Sequence, residues 1–394
     1  MAQATDLLSP TTDYFGVFSD IDGADLQWWA TARKAADRAR ETVNESWENA
    51  HYNVDGVRET ARMGLLRDGI DIEGFAPMST RAARLVAFEL SRADLSLGGA
   101  LGVQAGLVMQ TIAQCGSEAQ KEEFLGPLAR AEILGSFALT EPDHGSDSVA
   151  LETTAVRKGD QWVINGEKKW IGNGSVGDIA IVWARMDDGE VGGFIVDQDT
   201  PGYSAETITG KASLRGLYQA HISLVDVHVP HDRKLPGAAS FRDTAKVIAG
   251  TRIASAFFAL GAATDCYEKA LDYAKQRVQF GRTLVHNQII QQRLADMLQE
   301  LTSMMLYCRH ILDLETSGAL DERQASLAKV HCTRMARSIA ANARDMFGGV
   351  GILLENDVMR HMADIEALHT FEGTDTMQSL IVGKAITGVS AFRS

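Results

Sequence analysis

The sequence predicts a multidomain α+β protein: a helical domain over residues 1–130, an antiparallel β domain over 131–235 and a second helical domain over 236–394. Three observations lead there. A chain of 394 residues is too long for one simple core. Apolar residues recur at helical spacing at both ends, and the middle changes to short β-branched runs cut by Gly, Asp and Pro.

In the first zone, rich in Ala, Arg and Leu, Ser79-Thr80 cap a segment whose Ala83, Leu85, Val86, Phe88 and Leu90 form a broad helical stripe. Pro127 and Gly135 punctuate the pattern. In the middle zone, "TTAVRKGDQWVINGEKKWIGN" is two β-rich runs around a Lys-Gly-Asp-Gln turn, a hairpin signal. "DIAIVWARM", "GGFIVDQ" and "AHISLVDVHVP" continue it. No useful helix alternates with these strands, so a parallel βαβ sheet is disfavoured. In the third zone Ile290, Leu294, Met297, Leu301, Met304, Cys308 and Ile311 recur at three- and four-residue steps until Gly318. The stretch 321–347 repeats the theme up to "FGGVG", which suggests a helix bundle with apolar surface left for subunit contacts.

Composition excludes several classes. A net charge of −14 argues against phosphate-backbone binding, so no nucleic acid is expected. No run approaches 18 consecutive apolar residues, so no membrane span is expected. The beginning, "MAQATDLLSPTTDYFG", lacks a basic region followed by an apolar one, and the ending "AFRS" is not a peroxisomal signal. Cys115, Cys266, Cys308 and Cys332 are widely spaced and read as buried free thiols of a cytoplasmic protein. No metal site is expected: Asp143, His144 and Asp147 read as a solvated turn, and His361, Asp364, Glu366 and His369 as a solvated helix face.

Several stretches carry chemistry. In "HTFEGTDTMQ", residues 369–378, Glu372 stands between Phe371 and Gly373-Thr374 with apolar residues on both sides. It complements the dipole of a helix capped by an Asp375…Gln378 box, or it is a general base whose pKa is raised by apolar walls. These readings pull its pKa in opposite directions. "FALTEPDHGSDS", residues 137–148, is a turn dense in hydroxyls and backbone donors, fit for a polar heterocycle or a phosphate, or a plain Asx-rich turn. "KKWIGNG", residues 168–174, offers a flat apolar platform beside permissive backbone, or a packed core Trp. In "RVQFGRTL", Arg277 binds a phosphate or complements a helix C-terminus. "DMFGGVG" lacks the strand–turn–helix context of a Rossmann site.

In their order, "LTEPDHGSD", "KKWIGN", "RVQFG", "DMFGG" and "FEGT" resemble the acyl-CoA dehydrogenase family, from about residue 50 to the C-terminus. "GSEAQKEEFL", "IVWAR", "NQIIQQRLADML" and "VGKAITG" are similar to the glutaryl-CoA dehydrogenases. "KKWIGN" and "LPGAASFRDTAKV" are similar to plant-type short-chain acyl-CoA oxidases. The resemblance implies an N-terminal helical domain, a central antiparallel β-barrel-like domain and a C-terminal four-helix bundle. It also implies FAD as cofactor, acyl-CoA as substrate, electron-transfer flavoprotein as electron acceptor and a homotetramer.

By the same resemblance, Phe137, Leu139, Thr140, Gly145 and Ser146 run beneath the flavin, and Trp170, Ile171 and Gly172 flank it. Arg277, Phe280, Gln288, Asp345, Met346, Phe347, Gly348 and Gly349 come from a neighbouring subunit, and Thr374 and Thr376 complete the cofactor contacts. Gly98, Gly99, Ser146, Arg252 and Gly373 touch substrate. Glu372 removes the α-proton of the thioester while the β-hydride leaves to flavin N5. Thr251 stands where some members carry the base instead, so Glu372 has no rival.

Two departures shape the expectation. The arginine that pairs with a distal carboxylate in glutaryl-CoA enzymes aligns with Gly98, its neighbouring serine with Gly99 and a nearby glutamate with Ser91. An unpartnered buried carboxylate is costly, so the acyl chain is expected to be short and uncharged, without decarboxylation. Gly172 stands where many dehydrogenases have a hydroxyl on flavin N5, as it does in the oxidases. The expectation is FAD-dependent α,β-desaturation; the alternatives are a short-chain acyl-CoA oxidase using oxygen and a glutaryl-CoA dehydrogenase.

Overall fold

The computed structural model describes residues 3–391; the last three residues of "AFRS" lie outside them. The chain begins with helices α1 (Ala4–Leu7), α2 (Gly23–Glu48), α3 (Val54–Arg62), α4 (Thr80–Ala93), α5 (Leu95–Leu101), α6 (Gln110–Cys115) and α7 (Glu118–Ala129). A π-helical stretch, Gly102–Met109, joins α5 to α6. Strands β1 (Gly135–Ala138), β2 (Thr154–Lys158), β3 (Gln161–Gly172), β4 (Ile179–Met186), β5 (Val191–Asp197), β6 (Tyr203–Thr207) and β7 (Gln219–Pro230) follow. Then come α8 (Phe241–Gln276), a small hairpin of β8 (Val278–Gln279) and β9 (Arg282–Thr283), α9 (Gln288–Thr316), α10 (Glu322–Met346), α11 (Val358–Thr370) and α12 (Asp375–Thr387).

Local signals set these boundaries. The Ser79 hydroxyl accepts the Ala82 N–H at 2.9 Å and starts α4. Reciprocal caps start α7 (Ser117 with Gln120) and α10 (Asp321 with Gln324). Gly159 turns β2 into β3 with φ +65°. The seven strands form one sheet in the order β1-β4-β2-β3-β7-β6, with β5 beside β4. The hairpins are antiparallel as expected, but β1 and β2 also pair parallel to β4. The chain travels far between β1 and β4, and runs through all of β3 between β2 and β4, so it can return in the same direction, which a single tight turn cannot do.

Helix α8 is the axis of the helical core. From Ile253 to Tyr267 every residue is buried, so the helix is packed on all sides. It meets α4 so closely that a Cβ on Gly261 would lie 2.3 Å from the Phe88 carbonyl oxygen. Among the described residues two helical stretches, Leu95–Cys115 and Phe241–Gln276, are apolar and long enough for a membrane by composition, and both are mostly buried in the fold.

The expected solvated face on α11 is a correction. His361 and Asp364 are fully buried, and only Glu366 and His369 reach solvent. His361 bonds Asp265 at 3.1 Å, and burial pushes its imidazole down to about 4. Asp364 accepts from Trp47 Nε1 (2.8 Å) and the Leu214 amide (2.6 Å), and burial raises it to about 7. Beside them Arg360, also fully buried, binds Asp94 (2.7 Å), Asp357 (3.0 Å) and Asn44 (3.0 Å). The partners come from α2, the α4–α5 junction, the β6–β7 loop, α8 and the start of α11 itself, an arrangement that joins the zones of the chain. All four cysteines are buried and free.

Candidate active site

Glu372 sits in the reversal between α11 and α12. Its φ is +55° and that of Gly373 is +84°. A left-handed glutamate costs on the order of 1–3 kcal/mol, so neighbouring contacts must hold it. They do. The Lys329 ammonium, buried on α10, donates to the carbonyls of Phe371 and Gly373, the latter at 2.5 Å. Gln378 Nε2 donates to the Glu372 carbonyl at 2.8 Å. A Cβ on Gly373 would lie 2.2 Å from that Gln378 nitrogen. The expected Asp375…Gln378 capping box therefore does not form. Thr374 is the cap, accepting from the Met377 amide at 3.2 Å, and Gln378 serves the loop instead.

The Glu372 side chain turns to α8. Its Oε2 accepts from Thr251 Oγ1 at 2.6 Å. Burial raises its pKa; the Thr251 hydrogen bond and the charges of Lys329 and Arg252 offset this only in part. Lys329 is itself pushed down to about 8 by burial. Arg252 Nε and Nη1 have no hydrogen-bond partner among the described residues, and Glu322 approaches Nη1 only to 3.9 Å. A cation stands beside the base with donors to spare.

The α5–π–α6 stretch forms the facing wall. Gly99, Gly102, Val103 and Leu107 remain partly accessible, while most residues between them are buried. A Cβ on Gly106 would meet the Thr251 methyl at 3.3 Å, and one on Gly102 the Phe258 ring at 3.4 Å. Ser91 and Gly98 face each other: a Cβ on Gly98 would lie 2.0 Å from Ser91 Oγ. Gly172 abuts the same wall, and a Cβ there would lie 2.8 Å from Val103 Cγ2.

The 137–148 loop is pinned from below. Phe137 lies 5.8 Å from the Trp183 ring, and the Thr140 carbonyl accepts from the Lys169 amide at 2.8 Å. The fully buried Lys168 donates to Leu139 O (3.1 Å) and Glu141 (2.8 Å). Burial alone would raise Glu141, but Lys168 and the amides of Glu152 and Thr153 hold it at about 2. Gly145 and Ser146 stay exposed above this anchor. On β3 the register shifts between Lys168 and Ile171, and Trp170 has φ +65°. This bulge splits the expected pair. Trp170 is 52 % exposed, and Ile171 is buried in the core of the sheet.

The remaining expected residues of α8, the β8–β9 hairpin, α9 and α10 gather at one end of the bundle. Arg277 ends α8, Phe280 at the hairpin tip is fully exposed with φ +52°, and Gln288 opens α9. Tyr273 stacks on Phe347 at 4.3 Å, joining the ends of α8 and α10. Met346 and Phe347 are buried, Asp345 pairs with Arg293, and Gly348 (φ +62°) and Gly349 have open space at their α-carbons. Thr376 is exposed on the first turn of α12. Among the described residues no group of three His, Cys, Asp or Glu fits a metal.

Sequence reading missed two residues of the site. Thr251 reads in the sequence only as a position without a carboxylate. Lys329 had one local signal, a lone lysine within the buried stripe Ala325, Ala328, Cys332 and Ala336.

Comparisons with known proteins identify the family and the three-domain order. The N-terminal, middle and C-terminal domain models of acyl-CoA dehydrogenase match residues 25–132, 136–227 and 241–387. An acyl-CoA dehydrogenase of Bacillus subtilis (strain 168) is 36% identical over 366 residues, 91% of this chain and 95% of that protein. The short-chain specific mitochondrial acyl-CoA dehydrogenase of Homo sapiens is 32% identical, over 83% of this chain and 81% of its own. A glutaryl-CoA dehydrogenase from Mycobacterium smegmatis, solved in complex with FADH2, superposes with a TM-score of 0.95 at 35% identity, covering 97% of this chain and 99% of that one. With three domain models in order over nearly the whole length, this chain belongs to the acyl-CoA dehydrogenase family of oxidoreductases.

Proposed function

We propose that the protein is an FAD-dependent dehydrogenase of short, uncharged acyl-CoA thioesters, with Glu372 as the base that takes the α-proton. The observation that carries this reading is the Glu372 carboxylate: half-buried, raised in pKa by desolvation, held by Thr251 and set beside Arg252, whose Nε and Nη1 have no hydrogen-bond partner among the described residues. A carboxylate poised this way removes a weakly acidic proton far better than one in water. A helix-dipole cap accounts for neither its turn toward α8 nor its raised pKa.

The residues present fit FAD. Trp170 offers an exposed flat face, Gly145 and Ser146 crown an exposed loop on a rigid anchor, and Gly348 and Gly349 leave open space beside Arg277 and Phe280 on the bundle end. Thr140, Trp170, Gly172 and Thr374 would hold the ring system, and the bundle-end residues of a neighbouring subunit the dinucleotide. FAD held there supplies the acceptor for the β-hydride. Backbone amides around Glu372 would stabilise the developing enolate oxygen, and Phe371 would exclude water.

The acyl end is read from α4 and α5. Ser91 and Gly98 fill one another's space and neither carries charge, so a distal carboxylate would be buried without a partner at a cost of several kcal/mol. The fully exposed Phe280, with Val278 and Ile289, supports burial against further copies in a homotetramer. Electron-transfer flavoprotein is the proposed acceptor. Gly172 keeps oxygen as the second reading: it offers no hydroxyl to flavin N5, and a side chain there would strike Val103. Free buried cysteines suit a cytoplasmic location.

Anaerobic titration with butyryl-CoA, followed in the visible spectrum, is the test. Bleaching is expected with butyryl-CoA and not with glutaryl-CoA, and slow recolouring in air marks a dehydrogenase rather than an oxidase. Glu372→Gln is expected to keep its flavin and to lose at least about a hundredfold in reduction rate. Reduction at the wild-type rate would remove Glu372 from the mechanism.

A further inference from the structure

We propose that Thr251 is the positioning residue of the base: it holds the Glu372 carboxylate through a hydroxyl proton that changes partner when the carboxylate takes up the substrate's proton. This rests on Glu372 being the base. Thr251 Oγ1 lies 2.6 Å from Glu372 Oε2 and 2.8 Å from the carbonyl of Ile248, one helical turn back on α8. Both are acceptors, and a hydroxyl has one proton to give.

With Glu372 ionised, the proton goes to the carboxylate, the stronger acceptor. When Glu372, half-buried at the loop, becomes a carboxylic acid, its new O–H needs an acceptor. Thr251 Oγ1 supplies one by rotating its own proton to the Ile248 carbonyl. The substrate's C–H electron pair stays with the α-carbon, the proton ends on Glu372, and Thr251 gains and loses none. The carboxyl is thus bonded before and after transfer, with no water required and no movement of its oxygen. The site leaves little slack for other partners. Thr251 is 6% exposed, and its methyl is boxed in by Gly106, where any side chain would come within 3.3 Å.

Other charged groups face the same carboxylate: Lys329 from α10 and Arg252 from its own helix α8. Asp375 on α12, paired with Arg334, acts on Lys329, and His369 closes α11. Substitution of Thr251 leaves all of them in place.

The test is the acid limb of kcat/KM against pH for Thr251→Val, which keeps the shape and deletes the hydroxyl. Without the donor the ionised carboxylate is less stable, so the limb is expected to move to higher pH by about one unit. That is a loss of about tenfold below both limbs. Thr251→Ser is expected to keep the wild-type limb. An infrared titration of the carboxyl, with Glu372→Gln as blank, is expected to show the same shift without turnover. A limb unmoved in Thr251→Val, or moved equally in Thr251→Ser, would overturn the proposal. Should Thr251→Val fail to fold, Thr251→Ala is read in the same way. If Glu372→Gln stays active, it is the reading of the base that fails; if Glu372→Gln is dead and the limb does not move, only the role of Thr251 fails.

Discussion

Replacing Lys329 by Met separates what that buried cation does for stability from what it does for the base. Lys329 is 1% exposed, and burial lowers its pKa from 10.5 to about 8. Between those values the unfolded chain binds a proton that the folded chain has released. Stability of the wild type therefore rises with pH across this window. The shift corresponds to about 3 kcal/mol, absent below pH 8 and fully present above 10.5. Met fills a similar volume and carries no charge, so Lys329→Met is expected to lack this slope. Near pH 7 the variant sheds the penalty of a buried ammonium but strands the carbonyls of Phe371 and Gly373. Each stranded group costs about 1–3 kcal/mol, so the two effects roughly cancel. Catalysis is not expected to escape: the carboxylate of Glu372 loses a stabilising charge, and its acid limb moves up. Urea unfolding of both proteins at pH 7 and pH 10 is the assay. The gap between them is expected to widen by about 2–3 kcal/mol in favour of the wild type. A gap that does not change with pH would refute the buried, depressed ammonium.

Other substitutions test other contacts. Gly172→Ser places a Cβ 2.8 Å from Val103 Cγ2, so it is expected to cost about 1–3 kcal/mol, recovered when Val103→Ala is added; strictly additive losses in a double-mutant cycle would show that the two do not touch. Arg360→Met removes the shared partner of Asp94 and Asp357 and is expected to cost about 3–5 kcal/mol by urea unfolding. A loss under about 1 kcal/mol would mean that those carboxylates find other partners.

The sequence by itself determined the order of helices and strands, the caps at Ser79 and the β2–β3 turn, because periodicity and capping act over a few residues. It also marked Glu372 as an acid in apolar company. What the acid does there was decided by tertiary structure. The Thr251 hydroxyl lies 121 positions away in the chain and the Lys329 ammonium 42 from the carbonyl it holds. Nothing in "HTFEGTDTMQ" distinguishes a Gln378 that caps a helix from one that holds the Glu372 carbonyl. His361 and Asp364 show the same limit: their helix reads as a polar face until Asp265, Trp47 and Leu214 are brought against it. Periodicity reports which side of an element is apolar. Whether a charge on it is solvated, paired or poised depends on groups that only folding brings within hydrogen-bonding distance.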